Sequence, residues 1–289
     1  MPSNRTIEVS SEPRLAPVFL KAVAMSRLRS GTALPRLDVV RRDIRVDADR
    51  LAAYAHLTGF PLRNELPSTY LHNLSFPLQV TLFADRSYPY PLTGSVHLSN
   101  RITQHRPVLL DEPVTLTVRT ANARPHRRGA LADVIGEGRV GDDLVWEGVS
   151  TYLYRGQQAD GTPEPQADEG DAVDGSGALW RLPGDLGRRF ADVSGDVNPI
   201  HLNPLAAKAL GFPTTIAHGA WSMARMLGAL ENRLPDAYSY DVSFRKPVLI
   251  PSTVRFVARR DAGTGQVALA LRNHQKGTEH ARGTITPLD

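Results

Sequence analysis

The chain has 289 residues, of which 41% are hydrophobic and 22% charged, and this balance predicts a soluble globular protein. It contains no cysteine, which excludes disulfides, thiolate zinc sites and cysteine nucleophiles, and no apolar run approaches the ~20 residues of a transmembrane helix. The formal net charge of +4 is modest, so a phosphate-bearing small ligand or an acidic carrier protein suits the chain better than nucleic acid.

Basic residues are clustered at four places along the chain, and aromatic residues do not accompany them. We interpret each cluster as a solvated strand end or turn rather than a nucleic-acid surface. The clusters are Arg41–Arg42, Arg124–Arg128, Arg188–Arg189 and Arg259–Arg260.

Residues 1–34 are expected to form an N-terminal arm that includes one weakly amphipathic helix. Their apolar stretch, LAPVFLKAVAM, is short and carries Lys21, and it lacks the pattern of a secretory signal. With neither such a signal nor a membrane span, the protein is expected to be cytoplasmic.

In the first half of the chain, LSFPLQVTLFAD (74–85) is the helix candidate, although Pro77 interrupts its pattern. Three segments with the alternating pattern of strands follow it, namely VTLTVRTAN, ALADVIGEGRV and LVWEGVSTYLYR.

Residues 156–178, GQQADGTPEPQADEGDAVDGSGA, are rich in Gly, Asp, Pro, Gln and Ala, and Val173 is their one large apolar residue. Such a segment buries too little surface to offset its ordering entropy, so the composition predicts a linker. We therefore expect two domains of similar size, residues 35–155 and 179–289.

The second half repeats the order of elements found in the first. HGAWSMARMLGALENRL (218–234) has helical periodicity and stops before Pro235, and the strands TVRFVARR, QVALALRN and HARGTITP follow. One long helix and an antiparallel sheet in each half predict an α+β fold in which the sheet curls around the helix.

The two halves also match in sequence at three places that occur in the same order. LAAYAHLTGF (51–60) matches GRRFADVSGD (187–196), PSTYLH (67–72) matches PTTIAH (213–218), and RPVLLDEPVTLTVR (106–119) matches KPVLIPSTVRFVAR (246–259). The offsets are 136, 146 and 140 positions. We interpret the chain as two tandem copies of one fold.

The copies differ between two matched landmarks, where only the second carries a polar cluster. From Gly59 to Pro67 the first copy has eight positions, whereas from Gly195 to Pro213 the second has eighteen. The ten additional residues lie in the stretch DVNPIHLNPLAAKALGF, which follows directly on Gly195. Because the first copy needs no such cluster to turn the chain, we expect the cluster to serve a function.

Asp196 and His201 are the candidate catalytic residues, since a carboxylate and an imidazole held a few positions apart can bind one water and transfer its proton. Asn198 can orient either partner but cannot titrate, and Ser194 is a further supporting residue. No GxSxG elbow or Ser-His-Asp order is present, so a serine nucleophile is not expected.

Capping is the structural alternative for the same residues. Asp196 or Asn198 can cap a short helix over PLAAKALGF (204–212), in which Gly211 is a suitable C-terminal stop.

A metal site is the other alternative, because Asp196, His201 and His218 make a set of two histidines and one carboxylate. His218 has a counterpart, His72, in the copy that lacks the cluster. We therefore expect His218 to be hydrogen-bonded near the start of the long helix, and we expect no metal.

Gly219 is the candidate oxyanion site. It opens the predicted helix in AHGAWSM, where the first copy has Asn73. A glycine at a helix N-terminus lets a ligand approach free backbone N–H groups at the positive end of the helix dipole. We expect Gly219, with its neighbours His218 and Ala220, to bind a carbonyl oxygen as it becomes an enolate. The alternative is a glycine that only lets the helix pack against the sheet.

These motifs resemble the signature of the MaoC-like hydratases and dehydratases. The family pattern is an aromatic residue, then S-G-D-x-N-P-apolar-H, a spacer and H-G, which here are Phe190, Ser194–His201 and His218–Gly219. The second copy fits as a whole, including FRKPVLIP as the strand after the helix, and the first fits as a degenerate copy. The arrangement resembles the double-hot-dog members, in particular the mycobacterial 3-hydroxyacyl-thioester dehydratases.

The resemblance implies a tandem double hot dog, each half a long helix wrapped by an antiparallel sheet, and an (R)-specific hydro-lyase of fatty-acid metabolism. Asp196 and His201 would hold one water, Asn198 would support them, and the N–H of Gly219 would bind the thioester carbonyl. The substrate would be an enoyl or 3-hydroxyacyl thioester of coenzyme A or acyl carrier protein, without a cofactor. In the first copy, the missing segment and a helix broken at Pro77 would leave room for a long acyl chain.

Two alternatives keep the fold and change the function. One is a non-catalytic acyl-binding partner subunit, against which the intact SGDVNPIH counts, and the other is an acyl thioesterase, which the motif fits poorly. The sequence leaves open the acyl chain length, the carrier, the direction of the reaction, and which of Asp196 and His201 activates the water. Two hot dogs in one chain imitate the usual hot-dog dimer, so a monomer and a homodimer both fit.

Overall fold

The structure is a computed structural model, and it describes residues 5–13, 15, 17–18, 32–92, 94–163, 173 and 175–288. Most of the predicted N-terminal helix and the middle of the predicted linker lie outside these residues. Where the N-terminal arm is described, Arg5–Glu8 forms a strand that pairs in parallel with Leu37–Ile44. No helix in the described part of the chain is long and apolar enough to cross a membrane.

The elements of the fold are numbered here in chain order. The strands are β1 (Arg5–Glu8), β2 (Leu37–Ile44), β3 (Glu65–Leu66), β4 (Ser95–Gln104), β5 (Val108–Leu109), β6 (Val114–His126), β7 (Gly129–Val140), β8 (Asp143–Arg155), β9 (Ala178–Leu182), β10 (Tyr238–Phe244), β11 (Ser252–Arg260), β12 (Val267–Asn273) and β13 (Glu279–Pro287). The α-helices with defined bounds are α1 (Ala48–Thr58), α2 (Ser68–Phe83), α3 (Leu186–Ser194), α4 (Pro199–Leu202), α5 (Pro204–Ala209) and α6 (Gly219–Gly228).

The six strands predicted from alternating hydrophobicity are confirmed. They are β6, β7 and β8 in the first copy and β11, β12 and β13 in the second. In β6, Val114, Leu116 and Val118 are buried while the residues between them are partly exposed. This alternation follows because successive side chains of a strand point to opposite faces of the sheet.

The prediction of a strand over FRKPVLIP (244–251) is wrong. The strand after the second long helix is β10, which ends at Phe244, and in the segment that follows Leu249 forms one isolated bridge with Ile216. Pro247 and Pro251 lack the N–H groups that a strand ladder requires, so this segment cannot pair along its length.

The predicted break of the first long helix at Pro77 is also wrong, because α2 continues from Ser68 to Phe83. Pro77 removes one N–H donor, but the turns on both sides of it keep helical geometry. The carbonyl of Asn73, four residues before Pro77, therefore lacks its helical donor. The hydroxyl of Thr81 makes an additional bond within the helix, donating to the Pro77 carbonyl at 2.9 Å.

The second long helix is shorter than predicted. α6 ends at Gly228 rather than continuing to Leu234, and a 3-10 helix over Glu231–Arg233 replaces its last turns. The N–H of Leu230 bonds to the carbonyl of Leu227, three residues back, at 2.9 Å. Such i to i−3 bonds tighten a helix end into 3-10 geometry.

Two compact units are defined by the contacts of the chain, and the first contains Met1–Arg45, Leu74–Asn100 and Asp111–Gly170. Its strands β1-β2-β6-β7-β8 lie in this order and are antiparallel except for the pair β1 and β2. Aromatic side chains from the end of α2, the loop after it and β8 fill its core, namely Phe83, Tyr88, Tyr90, Tyr152 and Tyr154.

The second unit contains Val46–Asn73, Arg101–Leu110 and Asp171–Asp289. Its strands lie in the order β10-β13-β12-β11-β9, and each pair is antiparallel. Helix α1 belongs to this unit because it packs against α3 and α6. The compact units therefore differ from the predicted domains 35–155 and 179–289, since a helix of the first copy packs with helices of the second.

The predicted linker is packed at its C-terminal end. Val173 is buried against Val257 and Ala270 on the sheet, and Ala178 already begins β9. A Cβ at Gly177 would lie 1.9 Å from the carbonyl oxygen of Phe256, so only a glycine allows this close approach. The chain thus joins the sheet before the predicted linker ends.

The first of the three sequence matches is also a structural match. Helices α1 and α3 each end at a left-handed glycine, Gly59 (φ 76°) and Gly195 (φ 72°), whose N–H bonds to an alanine carbonyl four residues back. Tyr54 and Phe190, at equivalent positions, pack with ring centroids 6.3 Å apart. The two copies thus share a helix end, and they diverge immediately after it.

Candidate active site

The end of α3 places the first residues of the polar cluster. The left-handed glycine Gly195 reverses the chain, and the N–H of the next residue, Asp196, donates to the hydroxyl of Ser194 at 3.2 Å. The first copy has Phe60 at the position of Asp196, and that side chain is buried. The same helix end therefore presents a carboxylate in one copy and an aromatic ring in the other.

Asp196 and Asn198 form two successive Asx-type turns that lead into α4. The Asp196 carboxylate accepts from the N–H of Asn198 at 3.2 Å, and the Asn198 side chain accepts from the N–H of Ile200 at 3.4 Å. Asn198 therefore caps α4. The cap of the next helix, α5, is Asn203, which accepts two N–H groups at 2.8 and 3.2 Å, so the expectation that Asp196 or Asn198 caps it is wrong.

His201 is held by a main-chain carbonyl. The residue is buried, with 8% of its surface exposed, and Nδ1 lies 2.8 Å from the carbonyl oxygen of Ile216. A carbonyl can only accept, so Nδ1 carries the proton and donates. The other nitrogen of the neutral ring, Nε2, is then an acceptor, which leaves a lone pair for water or substrate.

His218 stacks on His201 and is held in the opposite tautomer. The ring centroids lie 3.6 Å apart with planes inclined by 26°. Nε2 of His218 donates to the main-chain carbonyl of Asp196 at 3.0 Å and lies 3.8 Å from its carboxylate. Its Nδ1 is buried and has no hydrogen-bond partner among the described residues. His218 thus fixes the backbone of Asp196 and the ring plane of His201.

Burial keeps both imidazoles neutral. Desolvation lowers the pKa of His201 below the ordinary 6.5, while the Asp196 carboxylate and the Ile216 carbonyl act in the opposite direction. For His218, desolvation and the neighbouring His201 lower the pKa to about 3. Asp196 is the most accessible of the three, with 23% of its side chain exposed. The cluster therefore combines one reachable carboxylate with two neutral rings.

The three side chains meet the composition of a two-histidine, one-carboxylate metal set, with candidate ligand atoms within 4.8 Å of one another. Their orientation fits such a site poorly. Lone pairs of imidazole lie in the ring plane, and the two ring planes are nearly parallel with centroids 3.6 Å apart, so an ion in the plane of one ring lies well outside the plane of the other.

Helix α6 begins at Gly219, directly after His218. The first helical hydrogen bond of α6 is donated by Ser222 to the carbonyl of His218 at 3.1 Å, so the N–H groups of Gly219 and Ala220 precede it and have no helical acceptor. The ring of Phe244 lies beside Gly219, where an added Cβ would be 3.3 Å away. Open donors at a helix N-terminus can stabilise a negative oxygen.

Gly187 is a residue of the site that the sequence motifs do not reveal. A Cβ at this position of α3 would lie 2.0 Å from the carbonyl oxygen and 2.9 Å from the carbonyl carbon of His201. Both obstacles are backbone atoms, so α3 and α4 approach this closely only because Gly187 has no side chain. The first copy, which lacks the inserted segment, has Leu51 at the equivalent position, and that difference is the available sequence signal.

Known proteins match this chain in sequence and in structure. Residues 182–282 match the protein family described as MaoC like domain. The protein named 3-hydroxyacyl-thioester dehydratase X, from Mycobacterium tuberculosis, is 40% identical over 257 residues, which are 88% of this chain and 91% of that protein.

The solved structures agree with the sequence relatives. A crystal structure of HtdX from Mycobacterium tuberculosis is similar with a TM-score of 0.75 and 39% identity, over 87% of this chain and 100% of that one. A MaoC-like dehydratase from Phytophthora capsici has a TM-score of 0.69 at 17% identity, over 87% and 95% of the two chains, and shows the shared fold. The chain therefore belongs to the MaoC-like 3-hydroxyacyl-thioester dehydratases, a family of hydro-lyases with the hot-dog fold.

Proposed function

We propose that this chain removes water from (R)-3-hydroxyacyl thioesters, and in reverse hydrates trans-2-enoyl thioesters, with Asp196 and His201 holding the water. The observation that carries the proposal is a carboxylate and two neutral imidazoles within 4.8 Å of one another, directly before the N-terminus of α6. The printed name of the relative from Mycobacterium tuberculosis, a 3-hydroxyacyl-thioester dehydratase, supports the same substrate class.

One water can contact Asp196 and His201 together. Each hydrogen bond of a water spans about 2.8 Å, so one water bridges two atoms up to about 5 Å apart. The carboxylate of Asp196 and a nitrogen of His201 lie within this reach. Both groups accept hydrogen bonds, because the carboxylate has no proton to donate and Nε2 of His201 carries a lone pair. The water then directs its protons to the protein and its oxygen to the substrate.

In the hydration direction, the water oxygen bonds to Cβ of the enoyl group and His201 Nε2 accepts one water proton. The π electrons between Cα and Cβ move toward the thioester, whose oxygen becomes an enolate bound by the N–H groups of Gly219 and Ala220. The proton then passes from His201 to Cα, so that H and OH are added in total. Dehydration follows the same steps in reverse.

His201 is assigned as the base because its neutral Nε2 is free to accept a proton, whereas Nδ1 is bound to Ile216. The Asp196 carboxylate raises the pKa of His201, so it stabilises the imidazolium that forms during the reaction. Asn198, Ser194 and His218 position the pair through the hydrogen bonds described above.

The substrate carrier is coenzyme A or acyl carrier protein, and the reaction needs no redox cofactor because no electrons are gained or lost overall. The first copy is proposed to accommodate the acyl chain. That role no longer depends on a break at Pro77, since α2 is continuous, and it rests on the absence of the inserted segment from the first copy.

The test is hydration of enoyl-CoA substrates of four to sixteen carbons, followed by the loss of the enoyl-thioester ultraviolet absorbance. We expect Asp196→Asn and His201→Ala each to lower kcat by at least about 10²-fold with the fold retained. Asp192→Asn, an exposed acid on the preceding helix, is the matched control and should keep full activity. Full activity of both site variants would overturn the proposal.

Two further readouts separate the alternatives. Release of free thiol, followed with a thiol-reactive dye, would indicate a thioesterase. Binding of acyl-CoA without any change in absorbance would indicate a non-catalytic partner subunit.

A further inference from the structure

A cavity of about 360 Å³ lies in the second unit, outside the polar cluster of the candidate active site. It is bordered by the end of α1, by β9 with the residues after it, by the start of α3 and by one face of α6. Its walls include His56, Trp180, Arg181, Arg189, Trp221 and Arg225.

Three arginines line this cavity, and none of its lining residues is acidic. Some other arginines of the described chain have a carboxylate partner, as Arg101 has Asp241 and Arg124 has Asp133. Within the described residues, the guanidinium groups of Arg181, Arg189 and Arg225 have neither an ion pair nor a hydrogen bond. The cavity thus concentrates unneutralised positive charge, which attracts an anion.

Arg225 is held in one position. Its guanidinium carbon lies 4.4 Å from the centroid of the Trp180 ring, and Trp180 in turn stacks on Phe256 at 4.8 Å. On another side it packs against Gly59, where an added Cβ would be 2.0 Å from Nη1. Burial lowers the pKa of Arg225, because its charge is partly removed from water without an anionic partner. A bound anion would supply that partner.

The cavity and the proposed oxyanion site share helix α6. Trp221, two residues after Gly219, forms a wall of the cavity and is fixed by a hydrogen bond from Nε1 to the carbonyl of Leu57 at 2.9 Å. Arg225 lies six positions after Gly219, which corresponds to about 9 Å along a helix axis. The cavity and the proposed oxyanion site are therefore carried by the same helix, less than two turns apart.

We propose that Arg181, Arg189 and Arg225 form a phosphate-binding subsite that takes the phosphate groups of a coenzyme A thioester. The identity of the ligand rests on the proposed function, whereas the anion site itself rests on the arginines and the cavity. Guanidinium groups bind phosphate oxygens through paired N–H donors, and three of them suit a ligand with several phosphates.

The neighbouring cavity of about 650 Å³, which shares His56, is less suited to phosphate because its wall has one arginine, Arg233, and one acid, Glu231. The subsite is therefore assigned to the smaller cavity alone.

The test compares coenzyme A with pantetheine, which lacks phosphate, by isothermal titration calorimetry on the full chain. We expect Arg225→Gln to weaken binding of coenzyme A by about tenfold or more and to leave binding of pantetheine unchanged. Arg181→Gln and Arg189→Gln should also weaken binding of coenzyme A. Both residues are exposed, so these variants test the subsite even if Arg225→Gln impairs folding. Arg188→Gln removes the same charge one residue from Arg189 but does not line the cavity, so it is the matched control.

Kinetics distinguish the sources of the phosphate. The variants should raise KM for enoyl-CoA by about tenfold, and they should leave kcat and the KM of the enoyl thioester of N-acetylcysteamine, which has no phosphate, unchanged. An effect of equal size on enoyl-phosphopantetheine would assign the subsite to the single phosphate that coenzyme A shares with carrier proteins. Unchanged affinity for coenzyme A in all three variants would overturn the subsite, while continued hydration activity would leave the proposed function intact.

Discussion

His201 and His218 stack face to face with ring centroids 3.6 Å apart, and each donates its one proton to a different main-chain carbonyl. Nδ1 of His201 bonds to Ile216 and Nε2 of His218 bonds to Asp196. Stacking at this distance requires that the two rings are not both charged, since like charges in contact repel strongly in a buried site. Nδ1 of His218 is also without a partner among the described residues but is buried, so the pair presents Nε2 of His201 as its accessible acceptor, in a fixed direction.

The tautomers of this pair can be measured directly. Nitrogen-15 NMR of the histidine-labelled protein at pH 7 should show His201 protonated at Nδ1 and His218 protonated at Nε2, because carbonyl oxygens can only accept. His201→Ala and His218→Gln assign the two signals. A His201 signal with the proton at Nε2, or a charged ring at pH 7, would contradict the assignment of His201 as the base.

The free energy of unfolding should decrease as the pH decreases, because His218 is buried in its neutral form. Its pKa is lowered from 6.5 to about 3 by desolvation, so below pH 6.5 the unfolded state binds more protons than the folded state. The contribution of His218 is fully present above pH 6.5 and is lost as pH falls toward 3. Between pH 7.5 and pH 5 the loss from this one residue should be about 2 kcal/mol.

Urea unfolding of the wild type and of His218→Gln at the two pH values measures this loss. The variant should lose about 2 kcal/mol less than the wild type over the same interval. His274→Gln, at an exposed turn, is the control and should follow the wild type. Identical pH dependence in wild type and His218→Gln would show that His218 is not buried as the neutral form.

Much of the fold could be predicted from the sequence, because buried strands alternate and the two copies repeat their order of elements. The packing of α1 with α3 and α6 could not, since an apolar face shows that a helix is buried but not against which partner. In the same way, the absence of an N–H at Pro77 suggested a broken helix, but α2 is continuous and is buried along most of its length.

Asp196 and His201 were predicted from the comparison of the copies, because the inserted segment introduces side chains with recognisable chemistry, and Gly219 was predicted from its place at a helix N-terminus, where the first copy has Asn73. The roles of the Ile216 carbonyl and of Gly187 were missed. Both act through the backbone. A main-chain contact does not require a particular residue type, so the sequence gives no direct indication of it. The first copy has Leu51 where the second has Gly187, but this difference can be interpreted only when the contact with the His201 backbone is known.

Gly219→Pro tests the contribution of the Gly219 N–H to catalysis, as distinct from the effect of adding a side chain at this position. Proline is favoured at the first position of a helix, and the preceding His218 has φ −64° and ψ 139°, the extended conformation that residues before proline prefer. The substitution removes the N–H that is proposed to bind the thioester oxygen. We expect kcat for enoyl-CoA hydration to fall by about 10²-fold or more.

Gly219→Ala is the control for this variant, because it keeps the N–H and adds the Cβ that both variants share. That Cβ lies 3.3 Å from the ring of Phe244, which can shift by a few tenths of an ångström, so a smaller loss is expected. Equal losses in both variants would show that the space beside Phe244 matters and that the N–H does not.

Gly187→Ala tests whether the approach of α3 to His201 sets the position of the imidazole. The added methyl would lie 2.0 Å from a main-chain oxygen, so the backbone at His201 has to move away from α3. A displacement of about 1 Å at a catalytic group can cost about 10² in rate, and we expect a loss of that order in kcat. The free energy of unfolding should fall by about 1–3 kcal/mol, as for other overpacked sites.

Gly184→Ala is the matched control, three residues earlier, where the added Cβ makes only an ordinary contact of 3.6 Å with Pro251. It should keep both kcat and stability. A histidine signal that shifts at His201 in Gly187→Ala, but not in Gly184→Ala, would connect the lost activity to the displaced ring rather than to general loosening. If Gly187→Ala retains full kcat, then α4 can move without moving the imidazole, and the bond from His201 to Ile216 alone is sufficient to position the base.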